Sequence, residues 1–198
     1  MKRFRKSLAS ALFATALLGA APARAGWKLI PAHVAVDLAG IIVTPASDWN
    51  QASARPGERG FSWTHDGFDL NRFETFAAVP TGAPLYKERS RRSNPMPKFD
   101  STMLLPDLAD FFERSFRLQN NLSDYTVDET RPARFGGHAG LLVRYHYSLP
   151  NDELLRQGLV RLAVARGRLF VANFAAPQLH FFNAGLPEAE AMMDSARF

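Results

Sequence analysis

The sequence contains no cysteine, and that absence removes disulfides, thiolate metal sites, a cysteine nucleophile and lipid attachment at a processed cysteine. Its N-terminal apolar stretch, residues 8–21, is interrupted by Ser10, Thr15 and Gly19 and closed by Pro22. It therefore falls short of the roughly 20 apolar residues that a helix needs to cross a bilayer. The Gly-x-Ser-x-Gly turn of common exported hydrolases is absent. None of the five histidines sits in a His-Glu-x-x-His pair or at another spacing that puts two metal ligands on one helical face. Nothing in the residues calls for a metal or a cofactor. No internal repeat, low-complexity tract or long polar linker divides the chain.

What is present begins with an export signal. Lys2, Arg3, Arg5 and Lys6 precede the apolar stretch, and the small-residue tripeptide Ala23-Arg24-Ala25 follows it. Cleavage between Ala25 and Gly26 is predicted, leaving 198 − 25 = 173 residues as one periplasmic or secreted domain with no permanent membrane anchor. That length is enough for a core that needs no covalent staples. The signal also carries the net charge. The full chain has 24 Lys and Arg against 19 Asp and Glu, but five of the cations and none of the acids precede Gly26, so the remainder balances at (24 − 5) − 19 = 0. A neutral domain has no global attraction for a polyanion, which disfavours nucleic acid as a partner.

Periodicity then divides residues 26–198 into strands and two helices. The run 33–43 alternates and then becomes continuously apolar, as a strand entering a core does. Residues 45–50 read as a short helical turn capped by Ser47 or Asp48, with Trp49 closing one end of the core. Strands are expected at 60–64, 72–79, 125–130, 140–149, 158–165 and 169–175. The last two form a hairpin through Arg166-Gly167-Arg168. Pro106 opens a helix with acids early, Arg114 and Arg117 late, and Leu108, Phe111, Phe112 and Phe116 on one side. A second helix is expected over 187–196, starting at Pro187, with Leu186, Ala189 and Met193 as its apolar stripe. Strands, helix, strands and helix in this order imply an α+β domain with a largely antiparallel sheet.

Three groups of residues are candidates for function. Lys87, Arg89, Arg91, Arg92 and Lys98 place five cations against Glu88 in a proline-bearing loop, 87–98, of an otherwise neutral domain. The local potential there favours a partner with an anionic surface: lipid head groups, a polyanionic glycan or an acidic face of an envelope protein. His65, Asp66, His138 and His146 are the side chains from which a dispersed hydrolase site would be assembled. Their ordinary roles are turn chemistry for His65-Asp66-Gly67 and a cross-strand partner for His146. The third group, His180-Phe181-Phe182, lies in the link to the last helix, where it would either pack in the core or line a groove. Gly136-Gly137-His138-Ala139-Gly140 precedes a strand and so is a turn, because a phosphate-cradling loop must follow a strand and open a helix.

The strand-rich start, the mid-chain helix, the glycine turn leading into Leu141-Leu142-Val143-Arg144-Tyr145, the hairpin strand ending Asn173-Phe174-Ala175-Ala176-Pro177, and the final helix ending Asp194-Ser195-Ala196-Arg197-Phe198 resemble the PsbP-like α/β/α sandwich. Within it the chain is most similar to uncharacterised exported proteins of proteobacteria. The resemblance implies a sheet flanked by helices and a non-enzymatic binding or assembly role, and it carries no catalytic residues over. A structural stabiliser of an envelope complex is the neighbouring reading.

Overall fold

The computed structural model describes residues 26–88 and 92–198. The predicted signal, including Ala25, and Arg89 and Arg91 of the basic loop lie outside the described residues. In chain order the elements are β1 (Trp27–Ile30), β2 (Val36–Asp37), β3 (Ile42–Val43), β4 (Trp49–Ala52), β5 (Gly60–Thr64), β6 (Arg72–Pro80), α1 (Leu105–Asn120), β7 (Tyr125–Phe135), β8 (His138–Tyr147), β9 (Arg156–Ala165), β10 (Arg168–Pro177) and α2 (Asn183–Ser195). Eight strands form one antiparallel sheet in the order β1-β4-β5-β6-β10-β9-β8-β7, and β2 pairs with β3 apart from it. The α+β expectation holds.

Because side chains alternate across a strand, each central strand feeds two cores. On β10, Phe170, Ala172, Phe174 and Ala176 join a cluster with Ala189, Met192 and Met193 of α2. Leu169, Val171 and Ala175 join a second cluster with Leu108, Phe111, Phe112 and Phe116 of α1. β8 divides the same way, Leu142 toward the first cluster and Leu141, Val143, Tyr145 and Tyr147 toward the second. Asp107 accepts the Leu104 N–H at 2.8 Å at the start of α1. Asn121, at φ 54°, ends that helix in the left-handed conformation that asparagine tolerates.

Three expectations are corrected. Residues 33–43 are not one strand: Asp37 Oδ1 accepts the Gly40 N–H at 2.8 Å, Ala39 and Gly40 both have positive φ, and the chain reverses so that Val36 faces Val43. Residues 45–50 form no helical turn, since Trp49 opens β4 and the carboxylate of Asp48 accepts the Ala32 N–H instead. Trp49 is nevertheless fully buried, as expected. The last helix starts at Asn183, so Pro187 lies inside its beginning rather than opening it.

The β7–β8 turn is fastened by the last residue. The Phe198 ring stacks on Phe170 at 3.9 Å and on His138 at 5.3 Å, and meets Phe135 edge-on. Arg197 exchanges two backbone hydrogen bonds with Ile42, 2.9 and 3.0 Å. Gly136 has φ +57°, and a Cβ there would overlap the Phe198 ring; Gly137 has φ +85° and open space around its Cα. Gly136→Ala is expected to cost about 2–4 kcal/mol, combining left-handed strain with overpacking, and Gly137→Ala about 1–2 kcal/mol from strain alone. Urea unfolding of the two variants checks this; equal losses would mean that Phe198 does not dock at this turn in solution.

Candidate functional site

Among its described residues the basic loop is exposed at its cations and fixed at its base. Lys87, Arg92 and Lys98 are exposed, while Leu85, Tyr86, Met96 and Phe99 are buried in the core that α1 covers. Pro84 and Lys98 form a β-bridge, the Lys87 N–H donates to the Pro56 carbonyl at 2.8 Å, and Glu88 Oε1 accepts the Met96 N–H at 2.9 Å. Deeper, the Tyr86 hydroxyl donates at 3.0 Å to Glu74 Oε2, and Ser62 donates to the other carboxylate oxygen at 3.5 Å. Burial, and after it the charge of Glu74, push the Tyr86 hydroxyl well above the ordinary tyrosine range, so it remains a donor.

Between this loop and the second half of α1 lies an open groove of about 440 Å³. Asn94, Pro95 and Pro97 form one wall; Arg114, Arg117 and Leu118 form the other. The two helix arginines were expected only as partners of the helix dipole, and packing α1 beside the loop adds them to its cations. Arg117 is already engaged, with Glu113 at 3.2 Å and the Ser123 carbonyl at 2.9 Å. Arg114 is exposed and donates through Nε to the Asp110 carbonyl at 3.3 Å.

The four residues of the hydrolase expectation do not converge. His138 stacks on Phe198 at one end of β8, and His146 lies eight residues along the same strand, roughly 26 Å away at the rise of an extended chain. Asp66 accepts a 2.6 Å hydrogen bond from Asn71 Nδ2, and Asn71 Oδ1 accepts the His65 N–H at 2.8 Å, so both residues close their own turn. Among the described residues no group of three or more His, Asp or Glu is placed to hold a metal ion. His146 does take the cross-strand partner expected of it: its Nδ1 lies 2.7 Å from Asp128 Oδ1 on β7.

His65 has partners that its local sequence does not announce. Glu188, on the first turns of α2, accepts at Oε1 from the Ser47 N–H (2.9 Å), the Ser47 hydroxyl (2.6 Å) and the Trp49 indole N–H (2.9 Å). Its Oε2 lies 3.1 Å from His65 Nε2, and the imidazole meets Trp49 in a tilted ring contact at 3.9 Å. Serine, histidine and glutamate are thus together, but not as a hydrolytic triad. The acid and the serine meet the same ring nitrogen, and the serine proton already points at the carboxylate, whereas nucleophile activation needs the acid on Nδ1 and the serine on Nε2. The cluster ties α2 to β4 and β5. Burial raises the Glu188 pKa, but the hydrogen bonds from Ser47 and Trp49 and the charge of His65 outweigh it and hold the carboxyl below its ordinary value.

No protein-family model and no curated protein matches the chain. Solved structures do. The solution structure of the cyanobacterial PsbP protein CyanoP from Synechocystis sp. PCC 6803 is matched at a TM-score of 0.54 and 9% identity, over 91% of this chain and 98% of that one. A crystal structure from Bacteroides thetaiotaomicron VPI-5482 is matched at 0.46 and 10% identity, over 81% of this chain and 47% of that one. LpqN of Mycobacterium tuberculosis, described as involved in cell envelope biogenesis, is matched at 0.36 and 12%, over 86% and 77%. The first likeness shows a PsbP-like fold and nothing about activity. Among the described residues no helix is long and apolar enough to cross a membrane.

Glu188→Ala, which leaves Ser47, Trp49 and His65 facing a void, is expected to cost about 2–3 kcal/mol, and Glu188→Gln about 1 kcal/mol. Because the folded-state pKa is depressed, the carboxylate's contribution is fully present above the unfolded glutamate value and is lost as pH falls through the lower folded value. The stability gap between wild type and Glu188→Gln should therefore be open at pH 6 and narrow progressively as pH falls below the ordinary glutamate value, about 4.3. Urea titrations across that range check it; a gap independent of pH would remove the carboxylate from the latch.

Proposed function

We propose that this chain is a non-catalytic, exported binding or assembly protein of a proteobacterial envelope, built as a helix-flanked sandwich of the PsbP type, that engages an acidic partner through the groove between loop 87–98 and α1. The observation that carries this reading is the placement of Arg114 and Arg117 across the groove from a loop bearing Lys87, Arg92 and Lys98. The mature chain has no net side-chain charge, so cations gathered on one surface give a local positive field that nearby acids offset only in part. The loop is held by Tyr86, Met96 and Phe99. A partner therefore need not pay to order the loop base, which favours association. Export follows from the basic, apolar and small-residue sections of residues 1–25. Two separate features support a binding role over hydrolysis: the scatter of His65, Asp66, His138 and His146, and the engagement of the Ser47 proton by Glu188.

The test uses the mature protein, a polyglutamate peptide and vesicles containing phosphatidylglycerol, which separate an acidic protein face from a lipid surface. Binding to one probe is expected at low salt, and it should be largely lost at about 0.5 M salt, where screening is nearly complete. Each of Arg92→Glu, Lys98→Glu and Arg114→Glu should weaken it by roughly 3–10-fold, about 1 kcal/mol per charge. Thermal unfolding of these surface variants should be unchanged. Binding that survives the triple reversal, or that ignores salt, would rule out this groove.

A further inference from the structure

A second concavity, of about 360 Å³, lies on the face of the sheet that α2 covers, away from the basic groove. Its floor follows from strand register. Thr126 of β7, His146 of β8, Gln157 of β9 and Ala176 of β10 stand opposite one another in a row. The next row inward holds Glu129, Arg144, Leu159 and Phe174. One wall is the bulge in β7 that turns Asp128 toward His146. The other is the turn Gln178–Phe182, which folds back over the floor, with the Gln178 N–H donating to the Leu155 carbonyl at 2.9 Å.

The charged groups around this concavity are already matched. Arg144 lies 3.4 Å from Glu129 and 3.4 Å from Glu190 of α2, and Asp128 holds His146 at Nδ1. His146 Nε2 takes no part in that contact and is left to hydrogen-bond a ligand. The side-chain amides of Gln157 and Gln178 line the same space, are half-buried, and form no hydrogen bond to any described residue. The unspent capacity is therefore two uncharged amides that both donate and accept, and one imidazole nitrogen. An ionic ligand would have to break existing pairs to gain a partner. A hydroxyl-rich neutral ligand would not. Leu155, which lines the concavity, is exposed, as are its chain neighbour Leu154 and Leu179 of the wall turn, Leu179 to 77%. They offer apolar surface to a ligand whose polar edge lies on the amides.

The wall segment is strained as well. His180 has φ 70° and ψ −63°, a γ-turn conformation that an imidazole-bearing residue rarely adopts. Such strain persists where the surrounding structure fixes it, and it concentrates at ligand sites. We infer that the concavity between the ends of β7–β9 and the Gln178–Phe182 turn is a binding site for a neutral sugar, a mono- or disaccharide, held by Gln157, Gln178 and His146 Nε2. The volume is at the small end of the range for such sites, roughly 300–1,000 Å³. The site is independent of the basic groove.

The experiment is an NMR titration of the ¹⁵N-labelled mature protein with glucose, N-acetylglucosamine, maltose and N,N′-diacetylchitobiose, with sodium glutamate and inorganic phosphate as charged controls. At least one sugar is expected to shift the Gln157 and Gln178 side-chain amides saturably, with a dissociation constant of about 1 mM or tighter. The two charged controls should not shift them. Gln157→Ala and Gln178→Ala should each weaken that binding roughly tenfold, the loss of a ligand hydrogen bond, and Arg92→Glu with Arg114→Glu should leave it unchanged. The absence of a saturable shift from all four sugars in the wild-type protein overturns the inference, as does preferential binding of either control. Sugar binding insensitive to both glutamine variants, with their folding verified by circular dichroism, overturns the location.

Discussion

Strand β10 is buried at every position after its first residue, and the rest of the molecule is arranged around that constraint. A strand with both faces out of water needs cover on both sides, and an antiparallel sheet left bare on one face would expose Phe174 and Phe170 or Leu169 and Val171. Each large side chain so exposed would forfeit about 1.5–3 kcal/mol of burial. Residues of α2 join the cluster on one face and residues of α1 the cluster on the other. The helices come from different parts of the chain, so each has to be located by its own device.

The devices differ in kind. α1 is located by aromatic packing: Phe112, Phe116, Tyr125, Tyr145 and Tyr147 contact one another in tilted, stacked and edge-on pairs, and the Tyr145 hydroxyl donates at 2.7 Å to the fully buried Asn173. α2 is less amphipathic, packs small Ala189 against the sheet, and is located by polar contacts at both ends. Glu188 gathers donors from β4 and the loop before it, Glu190 meets Arg144, and Ser195 accepts the Thr44 N–H at 2.9 Å. A carboxylate with several donors is worth more than exposed ion pairs of the same length, because its partners are ordered and partly withdrawn from water.

This difference explains what could be read from the residues alone. The α1 face, the β8 alternation and the Arg166-Gly167 hairpin were legible because periodicity and turn chemistry are local properties. Residues 33–43 misled because one Asx turn at Asp37 outweighs an apolar run: Gly40 at φ 110° reverses the chain with little steric cost. At the candidate sites the limit is sharper. The cations of loop 87–98 were visible, but Arg114 and Arg117 join them only when α1 packs beside that loop. His65 and Glu188 are 123 residues apart. No spacing rule connects them.

The same separation bears on where binding function can reside. The Glu188 cluster and the Asn173–Tyr145 bond fasten one element to another. Loosening either would cost stability before it offered a ligand anything. The polar groups with capacity to spare lie where the sheet runs out from under its helices: Gln157 and His146 at the ends of β9 and β8, and, on the other face, exposed Arg114 on α1 with Arg92 and Lys98 of the neighbouring loop. The burial that β10 demands consumes the middle of both faces. A fold with a core on each side of one sheet can therefore vary its margins without disturbing what holds it together, and in this chain the margins on opposite faces carry different chemistry, cationic beside α1 and charge-matched beside α2.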